Sequence, residues 1–316
     1  MMDWVVAITS LLLLLLAGDA LVKGAVNLSL RLGVPALIVS LTVVAFGTSA
    51  PELLISVKAS LDNAPGIALG NVVGSNTANI LLVMGLPAML ATMHTSDCET
   101  RKSYLKMLVA SVLFIVLCLG GVLTRTSGLV LIVALFAMLY YAFIEARRHR
   151  TACRLTETED EVEGTDPNMP WPKVILFLGL GLLGLPIGAG LLVDSSVNIA
   201  RDFGVSETAI GLTLVAIGTS LPELATTMMA AVRRQADVAL GNVIGSNMFN
   251  LLGIMGIASL IHPIRVDPSF IEFDFWIMLG ASLLLIPFVF FRKDITRSWG
   301  IAFTALYSAY IIAVLG

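Results

Sequence analysis

Residues 47–85 read GTSAPELLISVKASLDNAPGIALGNVVGSNTANILLVMG, and residues 218–256 read GTSLPELATTMMAAVRRQADVALGNVIGSNMFNLLGIMG. The two stretches align without a gap at an offset of 171 residues and are identical at 19 of 39 positions. The same offset pairs Asn27 with Asn198, Gly33 with Gly204 and Thr42 with Thr213. The chain is therefore read as two related halves. Duplication alone does not explain why the identities crowd onto glycines and polar residues that sit inside apolar runs.

Those runs set the fold class. Of 316 residues, 57% are hydrophobic and only 13% charged, with a mean hydropathy of +0.93. Soluble domains carry roughly a quarter charged residues, so a bilayer is the environment that absorbs this much apolar surface. Stretches of about 20 apolar residues, enough to cross the hydrocarbon core, recur near 4–27, 34–60, 64–91, 104–124, 128–146, 172–199, 205–232, 236–261, 270–291 and 295–315. The first is read as a span and not a removed signal peptide, because Asp3 is the only charge before it and no small-residue cleavage site follows. Cys98, Cys118 and Cys153 are far apart, which argues against a disulfide framework or metal cluster. The chain lacks a basic, aromatic-rich patch for nucleic acid.

Orientation follows from the 19 Lys and Arg residues. With the N-terminus outside, 15 fall on the cytoplasmic side and only Lys58, Arg125, Arg201 and Arg265 fall outside. Both termini are predicted outside. Five spans per half force the second half to enter from the opposite face. The expected architecture is thus an all-α polytopic membrane protein, ten transmembrane helices in two inverted-topology five-helix repeats. Residues 1–146 form the first repeat, 147–171 a cytoplasmic linker, and 172–316 the second repeat. The linker's acidic tail (Glu157, Glu159, Asp160, Glu161, Glu163) admits a calcium-sensing role, but a solvated linker is the preferred reading. Inverted repeats with interrupted helices mark secondary transporters, whose sites lie near the midplane.

The repeated motifs, within 45–85 and 216–256, carry the chemistry. Glu52 and Glu223 fall inside spans, where a carboxylate costs about 2.5–3.5 kcal/mol on insertion scales. With no basic partner nearby on the inner side, a bound cation would supply the missing charge. Pro51 and Pro222 lack the N–H that would bond the carbonyls of Gly47 and Gly218, so each helix should break there. Thr48, Ser49, Thr219 and Ser220 place hydroxyls on the broken turns. Ser75 and Asn79, like Ser246 and Asn250, are four apart and share a helix face. Carboxylates, amides, hydroxyls and carbonyls, without sulfur or imidazole, suit Ca²⁺ or Na⁺ and not zinc or copper. Gly70, Gly74, Gly241 and Gly245 are read as packing positions. Asn71, Asn76, Asn242 and Asn247 are open between interhelical hydrogen bonds and the ion path.

GTSAPE/GTSLPE with GNVVGSN/GNVIGSN resembles the paired alpha-repeats of the calcium/cation antiporter superfamily, in its prokaryotic sodium/calcium exchanger branch, over the whole ten-span plan. The resemblance implies a Ca²⁺ site centred on Glu52, Glu223, Thr48 and Thr219, with Na⁺ sites sharing the glutamates. Ser49, Ser75, Ser220, Ser246, Asn79, Asn250 and carbonyls near Ala45 and Ala216 would contribute. It also implies a bacterial inner-membrane location, Ca²⁺ export driven by Na⁺, no bound cofactor, and peripheral first and sixth helices that slide over a rigid core. The chain departs from the branch at Asn250, often aspartate there, so the site has two formal negative charges. An H⁺/Ca²⁺ or K⁺-dependent exchanger using the same glutamates is the alternative. His94, His149 and His262 lie at span ends or in loops and form no relay. The absence of H-E-x-x-H and Walker A sequences argues against an enzyme, and broken inverted repeats argue against a passive channel.

Overall fold

A computed structural model describes residues 2–95, 100–153, 166, 169–204 and 216–315. Among them the fold is all-α, apart from one two-stranded ribbon. The helices are α1 (Met2–Leu32), α2 (Ala36–Thr48), α3 (Ala50–Leu61), α4 (Pro65–Leu90), α5 (Arg101–Cys118) and α6 (Arg125–Cys153). They continue as α7 (Trp171–Asp202), α8 (Ala216–Gly218), α9 (Leu221–Val232), α10 (Ala236–Ile261), α11 (Phe270–Phe290) and α12 (Arg297–Leu315). Strands β1 (Val122–Leu123) and β2 (Ile264–Arg265) pair antiparallel.

Six of these helices are long and apolar enough to cross a bilayer, or seven if α2 and α3, bent by 47° at their junction, count as one span. The protein is a multi-pass membrane protein. Helices α5 and α12, of 18 and 19 residues, lie over the fourth and tenth expected spans. Only the second part of the seventh expected span, α8 and α9, is described. Residues 205–215, with Thr213, lie outside the described residues, as do Cys98, Arg154 and the acidic tail Glu157–Glu163. Helix α6 runs on to Cys153, into the region expected to be linker. Past Glu145 this part of the chain (Ala146, Arg147, Arg148) keeps good helix formers, so the helix has no reason to stop where the apolar run does.

The backbone repeats itself at the sequence offset. Adding 171 to the bounds of α4 gives those of α10. Among the described residues, the six with positive φ form three pairs at the same spacing: Gly33 with Gly204, Asn63 with Arg234, and Gly121 with Arg292. Each ends a helix in a left-handed turn, a geometry costly for arginine and kept at both places.

Helices α4 and α10 form the centre: 78% of each apolar window is buried, against 22% for α6 and 28% for α7. Outer helices instead turn side chains such as Leu16, Leu180, Leu183 and Phe136 outward, the lipid-facing pattern of a membrane bundle. Small residues set the close approaches. A Cβ on Gly241 would sit 2.7 Å from the Leu37 carbonyl oxygen, and one on Gly245 2.6 Å from Ala45 Cβ, so these two glycines let α10 pack against α2. Similarly, α1 meets α7 through Gly184, whose Cβ would be 2.8 Å from that of Ala17. Two residues past Ala17, Asp19 on α1 bridges Lys23 (3.0 Å) and Arg233, which caps α9.

Candidate ion-binding site

The predicted breaks occur at Ser49 (φ −84°, ψ 10°) and Ser220 (φ −85°, ψ 4°), each followed by a proline in the first turn of the next helix. A serine with ψ near zero interrupts the helical path, and the proline cannot donate back across the break. Glu52 and Glu223 therefore stand in the first turns of α3 and α9, where the positive end of the helix dipole favours a carboxylate. Both are fully buried, as are Thr48, Ser49, Ser220, Ser75, Ser246, Asn79 and Asn250; Thr219 is nearly so.

The two broken corners meet at the centre. Ser49 donates from its Oγ to Glu223 Oε1 at 2.9 Å, and Ser246 donates to the same oxygen at 3.3 Å. Thr48 Oγ1 lies 3.2 Å from Asn242 Oδ1 and 3.3 Å from the Ala45 carbonyl oxygen, which also accepts from the Ser49 N–H at 3.1 Å. The second corner is wound more tightly, since Ser220 N–H turns to the Ile217 carbonyl and leaves Ala216, at the start of α8, without that donor. Behind each glutamate an asparagine ties two helices. Asn71 Nδ2 donates to the Glu52 carbonyl and Ser56 Oγ (3.1 and 2.9 Å), and Asn242 Nδ2 to the Glu223 carbonyl and Thr227 Oγ1 (3.4 and 3.2 Å).

A second asparagine set crosses between α4 and α10. Asn76 and Asn247 donate to one another's carbonyls at 3.3 and 3.4 Å. Asn79 Nδ2 donates to Asn247 Oδ1, and Asn250 Nδ2 to Asn76 Oδ1, both at 3.0 Å. The amide N–H groups of Asn79 and Asn250 are thus held on the far helix, which fixes where their oxygens point. Near Asn250 the helix widens into a π-helical turn, Phe249–Ile254. Sequence reasoning left Asn71, Asn76, Asn242 and Asn247 open; all four make interhelical hydrogen bonds here.

Five buried side-chain oxygens among the described residues have no hydrogen-bond partner: Glu52 Oε2, Glu223 Oε2, Asn79 Oδ1, Asn250 Oδ1 and Ser220 Oγ. All five belong to residues singled out from sequence. Buried polar atoms are nearly always satisfied, and an orphan needs a reason. A set made of oxygens that accept, two of them on carboxylates, has the chemistry of a hard-cation site. Ser75, Thr219 and Asn71 also line a cavity of about 400 Å³.

The family model described as sodium/calcium exchanger protein matches residues 2–144 and 173–316. The chain belongs to the sodium/calcium exchanger family. Its members are transporters and not enzymes. The chain is 37% identical over 281 residues to inner membrane protein YrbG of Escherichia coli, covering 88% of this chain and 85% of that one. It is 32% identical over 349 residues to the sodium/calcium exchanger MaX1 of Methanosarcina acetivorans, covering 99% and 98%. A structure of the sodium-calcium exchanger NCX_Mj soaked with Na⁺ and Sr²⁺ superposes with a TM-score of 0.83 at 32% identity, covering 100% of this chain and 98% of that one.

Proposed function

We propose that the chain is a secondary-active antiporter that exchanges Na⁺ for Ca²⁺ by alternating access, with Ca²⁺ leaving the cell. In this reading ten transmembrane helices form two inverted five-helix repeats, 1–146 and 172–316, joined by the linker 147–171. The membrane is the inner membrane and both termini lie outside, as the 15-to-4 split of basic residues suggests. The observation that carries the reading is the group of five orphan oxygens on Glu52, Glu223, Asn79, Asn250 and Ser220.

Glu52 and Glu223 supply the charge. Thr48, Ser49, Ser75, Thr219, Ser220 and Ser246 supply hydroxyls, Asn79 and Asn250 supply amide oxygens, and carbonyls at Ala45 and Ala216 complete the donor set. Two carboxylates neutralise one Ca²⁺ or two Na⁺, which makes the ions mutually exclusive: loading one removes the charge that attracts the other. This competition in a single shared site is the physical basis of exchange. No residue of the set requires a resident cofactor.

The test is ⁴⁵Ca²⁺ uptake into proteoliposomes with the membrane potential clamped. An opposing Na⁺ gradient is expected to drive uptake, with no requirement for K⁺. Uptake driven by a pH gradient in the absence of Na⁺ would assign the coupling to protons carried on the same glutamates.

A further inference from the structure

The cavity that reaches Ser75 and Thr219 contains a carboxylate outside the repeated motifs. Its mouth is bounded by helix ends: Gly66 in the first turn of α4, Phe270 at the start of α11 and Val314 in the last turn of α12. Its inner end is Ser75, ten residues into α4 and so about 15 Å deeper at 1.5 Å per residue. The cavity thus runs from three helix ends to about 15 Å along α4, which in the ten-span reading is from one membrane face to mid-depth. Between mouth and inner end stands Asp274, four residues into α11 at the end of its first, π-helical turn. Tyr310 of α12 donates from its hydroxyl to Asp274 Oδ1 at 3.0 Å, and Tyr307 lines the same wall.

Much of the rest of the wall is aliphatic or aromatic. Among the described residues no Lys or Arg bridges to Asp274, while other acids of the protein, Asp19 and Glu145, each hold two basic partners. A volume of about 400 Å³ holds many times the ~30 Å³ share of one water, so a cation can enter with part of its hydration shell. A lone carboxylate in a low-dielectric funnel focuses negative potential where a cation must pass.

We propose that Asp274, held by Tyr310, is an outer station for a partly hydrated cation, Ca²⁺ or Na⁺, on the route to Glu52 and Glu223. The station deepens the antiport reading and rests on it for its place in transport. Occupancy can nevertheless be measured without transport. Tb³⁺, an oxygen-seeking stand-in for Ca²⁺, luminesces when excited through a neighbouring tyrosine, and Tyr307 and Tyr310 both face the cavity.

In full-length protein carrying Glu52→Gln and Glu223→Gln, saturable tyrosine-sensitised Tb³⁺ emission is expected to persist. Adding Asp274→Asn should cut it at least fivefold, and Asp274→Glu should retain it. In reconstituted vesicles, Asp274→Asn alone should raise the half-saturating Ca²⁺ concentration about tenfold from the cavity face. The maximal rate and the value from the opposite face should not change. Wild-type half-saturation should also rise more steeply with ionic strength than that of the variant. Emission indifferent to Asp274, or an affinity shift that is absent or equal on both faces, overturns the station. A wild-type protein that carries no Ca²⁺ under any gradient would instead sink the antiport reading, and the Tb³⁺ titration would still decide the station.

Discussion

Glu223 is enclosed by the other half of the molecule, whereas the surroundings of Glu52 open on a cavity. Around Glu223, Ser49 reaches across from the first broken corner, Ser246 adds a second hydrogen bond, and Gly241 and Gly245 let α10 close onto α2. The serine that matches Ser49 in the other copy, Ser220, has no partner for its hydroxyl among the described residues. Asn71, Ser75 and Thr219 line the cavity, and a Cβ on Gly70 would meet, among the described residues, only the tip of Phe270 at 3.9 Å. Two nearly identical motifs therefore occupy different environments in one conformation. A transporter built from two like halves needs this, because one path must be shut while the other is open, and the halves must be able to trade conformations.

The largest expected effect tests what the halves share. Glu52→Gln and Glu223→Gln should each reduce Ca²⁺ flux at least a hundredfold, since either leaves one carboxylate to balance two positive charges; flux surviving both would break the site assignment. Next comes packing. Gly245→Ala would drive a methyl into the Leu41 carbonyl and Ala45, an overpacking cost of about 1–3 kcal/mol. Its counterpart Gly74→Ala meets nothing within 4 Å among the described residues. Thermal unfolding in detergent should therefore show a clear fall for Gly245→Ala and little change for Gly74→Ala, and equal shifts would refute the asymmetry.

Third, Ser49→Ala removes a charge-assisted hydrogen bond worth about 1.5–3 kcal/mol. Ser220→Ala removes a hydroxyl with no partner among the described residues, so ion-free stability should hold within about 0.5 kcal/mol. If Ser220 is a ligand, Ca²⁺ affinity in that variant should drop all the same, which separates its two roles in one titration. Smallest is Asp19→Asn. The Asp19–Arg233 bridge ties α1 to the end of α9, and the equivalent positions, Gly190 and Asp62, cannot form one. Because the pair is partly solvated, its loss should cost under about 1 kcal/mol. A larger effect on transport rate than on the unfolding midpoint would show that the bridge biases the conformational balance.

Much of this was legible in the chain. The expected span 64–91 is α4 within a residue at each end, because Pro65 pre-sets a helix start and the apolar run has an unambiguous length. The broken corners were legible because Pro51 and Pro222 lack the N–H that would bond the carbonyls of Gly47 and Gly218. The candidate site was legible because intramembrane carboxylates are too costly to be casual. Less visible were pairings between distant segments. Asn79 with Asn247 and Asn250 with Asn76 are separated by 168 and 174 residues, and nothing local in either motif says which amide takes which oxygen. Asp274 and Tyr310 lie outside the aligned stretches, and Asp19 meets Arg233 where the other copy has Asp62, so neither pair carries a motif.

By itself the sequence determined that this is a helical membrane protein, where its helices break, and which oxygen-bearing side chains fall at the breaks. Those properties follow from local chemistry: hydropathy over about 20 residues, the missing N–H of proline, and the cost of a buried charge. Only the tertiary structure decided which half is closed. The two motifs are alike in residues, so their difference comes from what each meets across the bundle: α10 against α2 at Gly241 and Gly245, and α4 against a cavity that leads past Asp274 to Ser75 and Thr219.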